Sequence, residues 1–244
     1  MEKVVYLLWG RLDPAHGDEL RGRLLADTAP RLFALGARAL TVNVHDSAAA
    51  DAPSPAPAPP GEAAPLAQVS VWLDSYDKRA GVDEALAGHD LDLSGHLVTE
   101  SLYDDYGTTP HAGPRTWPDG ERSPGVLTVA LVHRPSGLDP DEWIERWHGV
   151  QSPASGRLQP RTRYVRNHVH RAVTPGAPRI DGIVEEGWPS AQHVADPMLF
   201  FNADGDPARM QAHLEEMMAN VTACLDLARL RSVTMSEHLV RTLG

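Results

Sequence analysis

The chain has 244 residues, 22 of them basic and 33 acidic, for a formal net charge of −11 at pH 7 with histidine neutral. At roughly 150 residues per domain this length suits one large or two small domains. The acidic balance argues against a nucleic-acid partner, since phosphate-backbone binding needs a basic face.

A single cysteine, Cys224, excludes an internal disulfide and a multi-cysteine zinc site. The first apolar run, Val4 to Trp9, is too short for a signal peptide. No later run approaches the ~20 apolar residues that span a bilayer, so a soluble, cytoplasmic protein without a membrane partner is expected.

Taken along the chain, Val4 to Trp9 reads as a strand, and Asp18-Glu19 opens a helical pattern. Two further strand-like runs, Ala39 to His45 and Ala67 to Leu73, flank a segment of different composition, 47–65, SAAADAPSPAPAPPGEAAP. It offers no large apolar side chain to bury and is expected to be a disordered surface loop. Deleting most of Ala48 to Pro60 should then leave stability within about 1 kcal/mol, because loop-closure entropy varies slowly with length.

A shorter helix near Val82 to Leu86 follows. Residues 107–124 are rich in Gly and Pro and read as a linker between a first unit, 1–106, and a second, 125–244.

The second unit repeats the first. Leu127 to Arg134 parallels Val4 to Arg11, and Asp141-Glu142 and Pro153 follow Asp18-Glu19 and Pro30 at a constant offset of about 123 residues. Asp139-Pro140 caps a helix on which Trp143 and Trp147 share a face, and Pro153 should end or kink it. Tyr164 to His170 and Gly182 to Glu186 read as strands, Asp206-Pro207 opens a longer helix, and Arg231 to Val240 is the last strand. The order is β-α-β-β-α-β, the ferredoxin-like unit.

With Trp147-x-x-x-Gln151-x-Pro153, Tyr164-Val165-Arg166-Asn167-His168-Val169, Asp181-Gly182-Ile183-Val184-Glu185 and Ser236-Glu237-His238, the second unit resembles the EthD-domain proteins of the dimeric α-β barrel superfamily. The resemblance spans about Val126 to Thr242, and the first unit is a diverged version. It implies an α+β fold in which two tandem ferredoxin-like repeats pair within one chain as a barrel, each repeat an antiparallel sheet with two helices on one face, the sheets packing on each other. It also implies pockets between a sheet and its own helices. The superfamily hosts cofactor-free monooxygenases, polyketide cyclases, isomerases, decarboxylases and haem enzymes. Family members usually carry His where this chain has Gln151. Dimerisation of such pseudo-dimeric chains is one expected assembly.

Several residues are candidates for the chemistry. Glu185 lies on a strand with carboxylates on both faces, so one should be buried, and burial would raise its pKa and suit it to acid–base work. Gln151 and His148, with Glu185, form the candidate catalytic set. Trp147, Asn167, His133, Trp188 and Phe200 are candidate substrate contacts, the aromatic ones suiting a planar apolar ligand. His168-x-His170 could hold a metal, but no third ligand has recognisable spacing, and no metal site is assigned.

The equivalents of Trp147, His148 and Gln151 in the first unit are Leu24, Leu25 and Thr28, which places the working pocket in the second. The leading expectation is a cofactor-independent tailoring enzyme, of cyclase, dehydratase, isomerase or decarboxylase type. Its substrate would be a small apolar aromatic or polyketide-like molecule. The alternatives are an oxygenase, cofactor-free or haem-bound, and a non-catalytic small-molecule binding protein.

Overall fold

The computed structural model describes residues 1–243. Runs of alternating or continuous apolar character form eight strands: β1 (Glu2–Gly10), β2 (Ala39–Val44), β3 (Ala64–Leu73), β4 (Asp92–Asp104), β5 (Val126–Val132), β6 (Arg163–Ala172), β7 (Gly182–Trp188) and β8 (Arg231–Arg241). They close an antiparallel barrel in the order β1-β3-β2-β8-β5-β7-β6-β4. One arc therefore reads β4-β1-β3-β2 and the other β8-β5-β7-β6.

The inner faces of the two arcs meet across the barrel interior, as expected, and the arcs also join edge to edge into one closed sheet. Val42 pairs with His238 across β2 and β8, and Thr99 with His168 across β4 and β6. Hydrogen bonding at both seams satisfies backbone groups that open sheet edges would leave unpaired.

Each arc carries helices on its outer face. In the first half, Pro14–Arg23, Leu24–Thr28 and Ala29–Ala34 run on as one helix (α1), and Ala80–Ala87 forms α2. In the second half, Pro140–Ile144, Glu145–Gln151 and Ser152–Leu158 run on as α3. Short helices α4 (Ala191–Ala195) and α5 (Pro197–Phe200) precede the long α6 (Pro207–Cys224). Asp139 and Asp206 cap α3 and α6 through their carboxylates, as their sequences suggest.

Pro153 does not end its helix. The turn before it, Glu145–Gln151, widens to a π-helix, and Leu24–Thr28 does the same before Pro30. A proline has no N–H to give and crowds the carbonyl four residues back, so a wider turn lets the helix continue.

Strand alternation divides the side chains. In β1, Val4, Tyr6 and Leu8 face the helices and join Leu20, Leu24 and Leu32, while Val5 and Leu7 face into the barrel with Val129 and Val233. Leucines and valines thus fill the helix-facing side of the first half. Among the described residues no helix is long and apolar enough to cross a membrane.

The Pro/Ala segment before β3 corrects a second expectation. Its small side chains are what let it lie flat: Ala49 and Ala52 are buried against Val126, Trp188 and Val194 of the second half. Further on it runs along β8. Ser232 N–H donates to the Ala56 carbonyl (2.6 Å), Ala56 N–H to Ser232 Oγ (2.8 Å), and Thr234 Oγ1–H to the Pro53 carbonyl (2.7 Å). The segment is a strap across the second half.

Replacing Pro53 to Pro60 with a short connector is therefore expected to cost about 2–4 kcal/mol, at about 0.5–1.5 kcal/mol for each hydrogen bond lost. Urea unfolding midpoints measure it, and a loss under about 1 kcal/mol would show the strap to be detachable.

Candidate functional site

A cavity of about 200 Å³ lies between the outer face of β5, β6 and β7 and the helices α3, α5 and α6. This is the sheet-to-helix position the second half was expected to use. Trp147 and Gln151 reach it from α3, Tyr164 from β6, Phe200 and Phe201 from α5 and the turn after it, and Met217 from α6. Pro55 and Ala56 of the strap complete its wall.

Its back is rigid. Trp143 and Trp147 stack with ring centres 4.9 Å apart, and Trp143 Nε1 donates to the Cys224 carbonyl at 2.8 Å. Gly182 is what lets Trp147 sit so close to β7: a Cβ there would meet the Trp147 ring at 2.6 Å and Val132 at 2.8 Å. Cys224 itself is buried, which pushes its thiol up to about 12 and leaves it inert.

The lining also carries Thr128, Gln159, Tyr164 and Ser232, and two further polar groups bear on the chemistry. Gln151 is at the end of the π-turn, its Nε2 donating to Met217 Sδ at 3.2 Å. Its Oε1 is buried without a hydrogen-bond partner, which makes it a ready acceptor.

The second polar group is Glu186. It is half-buried on β7, directly across from Thr128 on β5 and Tyr164 on β6. Burial raises its pKa above the ordinary glutamate value, and the Arg161 charge and a hydrogen bond with neighbouring Thr128 offset this only in part. Among the described residues it makes no ion pair within 4 Å. Tyr164 is pushed up as well, first by burial and then by the Glu186 charge, so phenol and carboxyl influence one another. The Arg161 guanidinium lies 3.9 Å from the Tyr164 ring centre and is anchored below by Asp104 and Ser155.

Glu185, one residue earlier, points the opposite way, into the barrel. Its Oε1 accepts from Gln68 Nε2 (2.7 Å) and Asn167 Nδ2 (3.0 Å). Lys3 Nζ and Arg163 Nη1 each lie 3.5 Å from the carboxylate. Burial would push its pKa up, but Lys3 and Arg163, with the two amides, outweigh it, so the pKa is lowered. The expected raised pKa is reversed at Glu185 and found at Glu186.

The other sequence candidates divide in the same way. Trp147, Gln151 and Phe200 line the cavity, and Trp188 stands behind Phe200, stacked at 4.7 Å. Asn167 faces the barrel interior with Glu185. His148 lies beside Trp147 on the flank of α3 and does not line the cavity. Burial, with Arg166 and His168 nearby, lowers its pKa to about 4. His133 belongs to a different cavity at one end of the barrel. His168 and His170 have ring centres 5.5 Å apart, and among the described residues no group of three His, Cys, Asp or Glu could hold a metal.

The signal for Glu186 was in the sequence. It is two residues from Trp188, hence on the same strand face as a residue already read as a ligand contact, whereas Glu185 is not.

No family model and no curated protein matches the chain. Solved structures do. An anthrone oxidase-like protein, 12% identical, superposes with a TM-score of 0.57 over 99% of this chain and 94% of that one. A mutant chlorite dismutase from Candidatus Nitrospira defluvii, 8% identical, gives 0.49 over 98% and 92%. The fold is that of the dimeric α-β barrels. At such identities the likeness extends to the fold alone, and the chemistry must be argued from the cavity.

In this barrel the residues lining that cavity include no histidine or cysteine to serve as an axial ligand, and their volume of about 200 Å³ is small for a macrocycle.

Proposed function

We propose that the chain is a cofactor-independent enzyme that moves a proton on a small, largely apolar aromatic molecule held in the helix-sheet cavity of the second half. The observation behind this reading is Glu186, a carboxyl group of raised pKa among aromatic and methionine side chains. A carboxylic acid whose pKa is brought nearer to neutrality can both give and take a proton at working pH. In this scheme Glu186 transfers the proton, the Gln151 amide holds the substrate's polar oxygen, and Trp147 and Phe200 clamp the ring. Cyclisation, dehydration, isomerisation or decarboxylation all need such a step. We also read the halves, 1–106 and 125–244, as tandem ferredoxin-like repeats and the second as EthD-like. In support, both have the element order β-α-β-β-α-β and the same strand order within their arc.

1-Tetralone, an apolar aromatic ketone with exchangeable protons next to its carbonyl, is a suitable probe. Quenching of tryptophan fluorescence reads its binding, and deuterium incorporation followed by NMR reads proton transfer. The wild type is expected to bind it and speed exchange, and Gln151→Ala to weaken binding about ten-fold, as for loss of one good hydrogen bond. Binding without any acceleration would favour the non-catalytic binding protein instead.

A further inference from the structure

The barrel interior is not uniform along its axis. At one end it is charged and closed: Arg163 bridges Glu185 and Glu237 (3.0 Å to the latter), and the Tyr106 hydroxyl donates to Glu237 at 2.8 Å. At the other end it is apolar and open. There Val129, Leu131 and Val233 of the second half face Trp9 of the first, and they floor a cavity of about 300 Å³. Mouths of eight-stranded barrels are among the places where small ligands bind.

The rim of this mouth is cationic on a chain whose net charge is −11. Arg179, Arg229 and Arg231 all contribute to it. Asp181 stands 3.7 Å from Arg179 and Glu62 stands 3.9 Å from Arg231, so two of the three charges are answered at long range. Among the described residues Arg229 makes no ion pair within 4 Å. Between rim and floor sits His133, 8% exposed, its buried Nδ1 3.8 Å from the Asp181 carboxylate.

We propose that the barrel mouth is a second small-molecule site, which takes an amphipathic monocarboxylate with an apolar body of one or two rings. The chemistry follows from the wall. The floor offers dispersion and burial without hydrogen bonds, so the buried part of the ligand is hydrocarbon. Guanidinium forks match the planar carboxylate, and Arg229, the one rim arginine without an ion pair within 4 Å among the described residues, is the charge a single carboxylate would meet, hence a monoanion. Trp9 and the strap's Ala58 and Glu62 come from the first half, and the strands of the floor come mostly from the second. The site therefore exists only because both halves are joined, and it is separate from the Glu186 cavity.

Isothermal titration with 1-naphthoate, and with 1-naphthol as its neutral counterpart, tests this. The wild type should bind 1-naphthoate. The double variant Arg229→Gln/Arg231→Gln should bind it at least about ten-fold more weakly, with 1-naphthol affinity unchanged. Leu131→Trp, which fills the floor, should abolish 1-naphthoate binding, while Met217→Trp, which fills the helix-sheet cavity, should leave it intact. The arginine variants lie at the surface and keep the test valid if Leu131→Trp does not fold. The proposal is overturned if the wild type does not bind 1-naphthoate, if the arginine pair has no effect on it, or if Met217→Trp is the variant that loses it.

Discussion

Replacing Glu185 by alanine is expected to destabilise the protein by about 3–5 kcal/mol, the usual penalty for removing one member of a buried ion pair. Lys3, Gln68, Asn167 and Arg163 all converge on this carboxylate, from strands of both halves. Removing it takes the shared carboxylate out of a buried cluster, leaving Lys3 with Glu100 alone (3.4 Å) and Arg163 with Glu237 (3.0 Å) and Asp105 (3.2 Å). Urea unfolding of the variant measures the loss. A cost below about 1 kcal/mol would mean that water reaches the cluster and replaces the carboxylate.

The same residue sets a pH dependence. Because its folded pKa lies below the ordinary 4.5, its contribution is fully present above pH 4.5 and is lost as pH falls through the folded value. Wild-type stability should therefore drop on acidification, and Glu185→Gln should flatten that part of the curve.

Glu186→Gln should do the opposite to the fold while removing the chemistry. As the proposed proton donor and acceptor, Glu186 accounts for about 10²–10⁴-fold of rate, so turnover should fall by that factor with binding of 1-tetralone retained. Its raised pKa means that the folded state holds the proton more tightly than the unfolded chain. Ionising it therefore costs stability: the cost is absent below pH 4.5, grows as pH rises, and is complete above the folded pKa. Glutamine carries no such cost, so the variant should be more stable than wild type at neutral pH and lose that advantage in acid. Deuterium exchange and urea midpoints at pH 4 and pH 8 check the two effects together. An unchanged exchange rate would remove Glu186 from the mechanism. A variant less stable than wild type at pH 8 would show the carboxylate to be structurally satisfied instead.

The contrast between these neighbouring glutamates shows how far the sequence reaches. Strand periodicity was enough to put one carboxylate on each face of β7, and aspartate caps with following prolines located α3 and α6. Trp147, Gln151 and Phe200 could be grouped because helical spacing and composition are local properties. Which face of β7 became the cavity wall was not local. It depended on closure of the barrel, which brought Lys3 and Gln68 from the other half onto Glu185 and drew its pKa down, while Glu186 was left among aromatic rings.

The strap shows the same division. Its composition correctly says that it has little to bury, yet small residues are what a segment needs to lie close against another strand. Its order comes from Ser232 and Thr234, about 180 residues further along the chain. His133 marked a polar position at the end of a strand in the sequence. Only the meeting of Trp9, the strap and β8 around it made that position the wall of a cavity. Periodicity and capping are written within a few residues of one another and can be read from the sequence. Burial, ion pairing and cavities arise between residues far apart in the chain, and the closed barrel decided them.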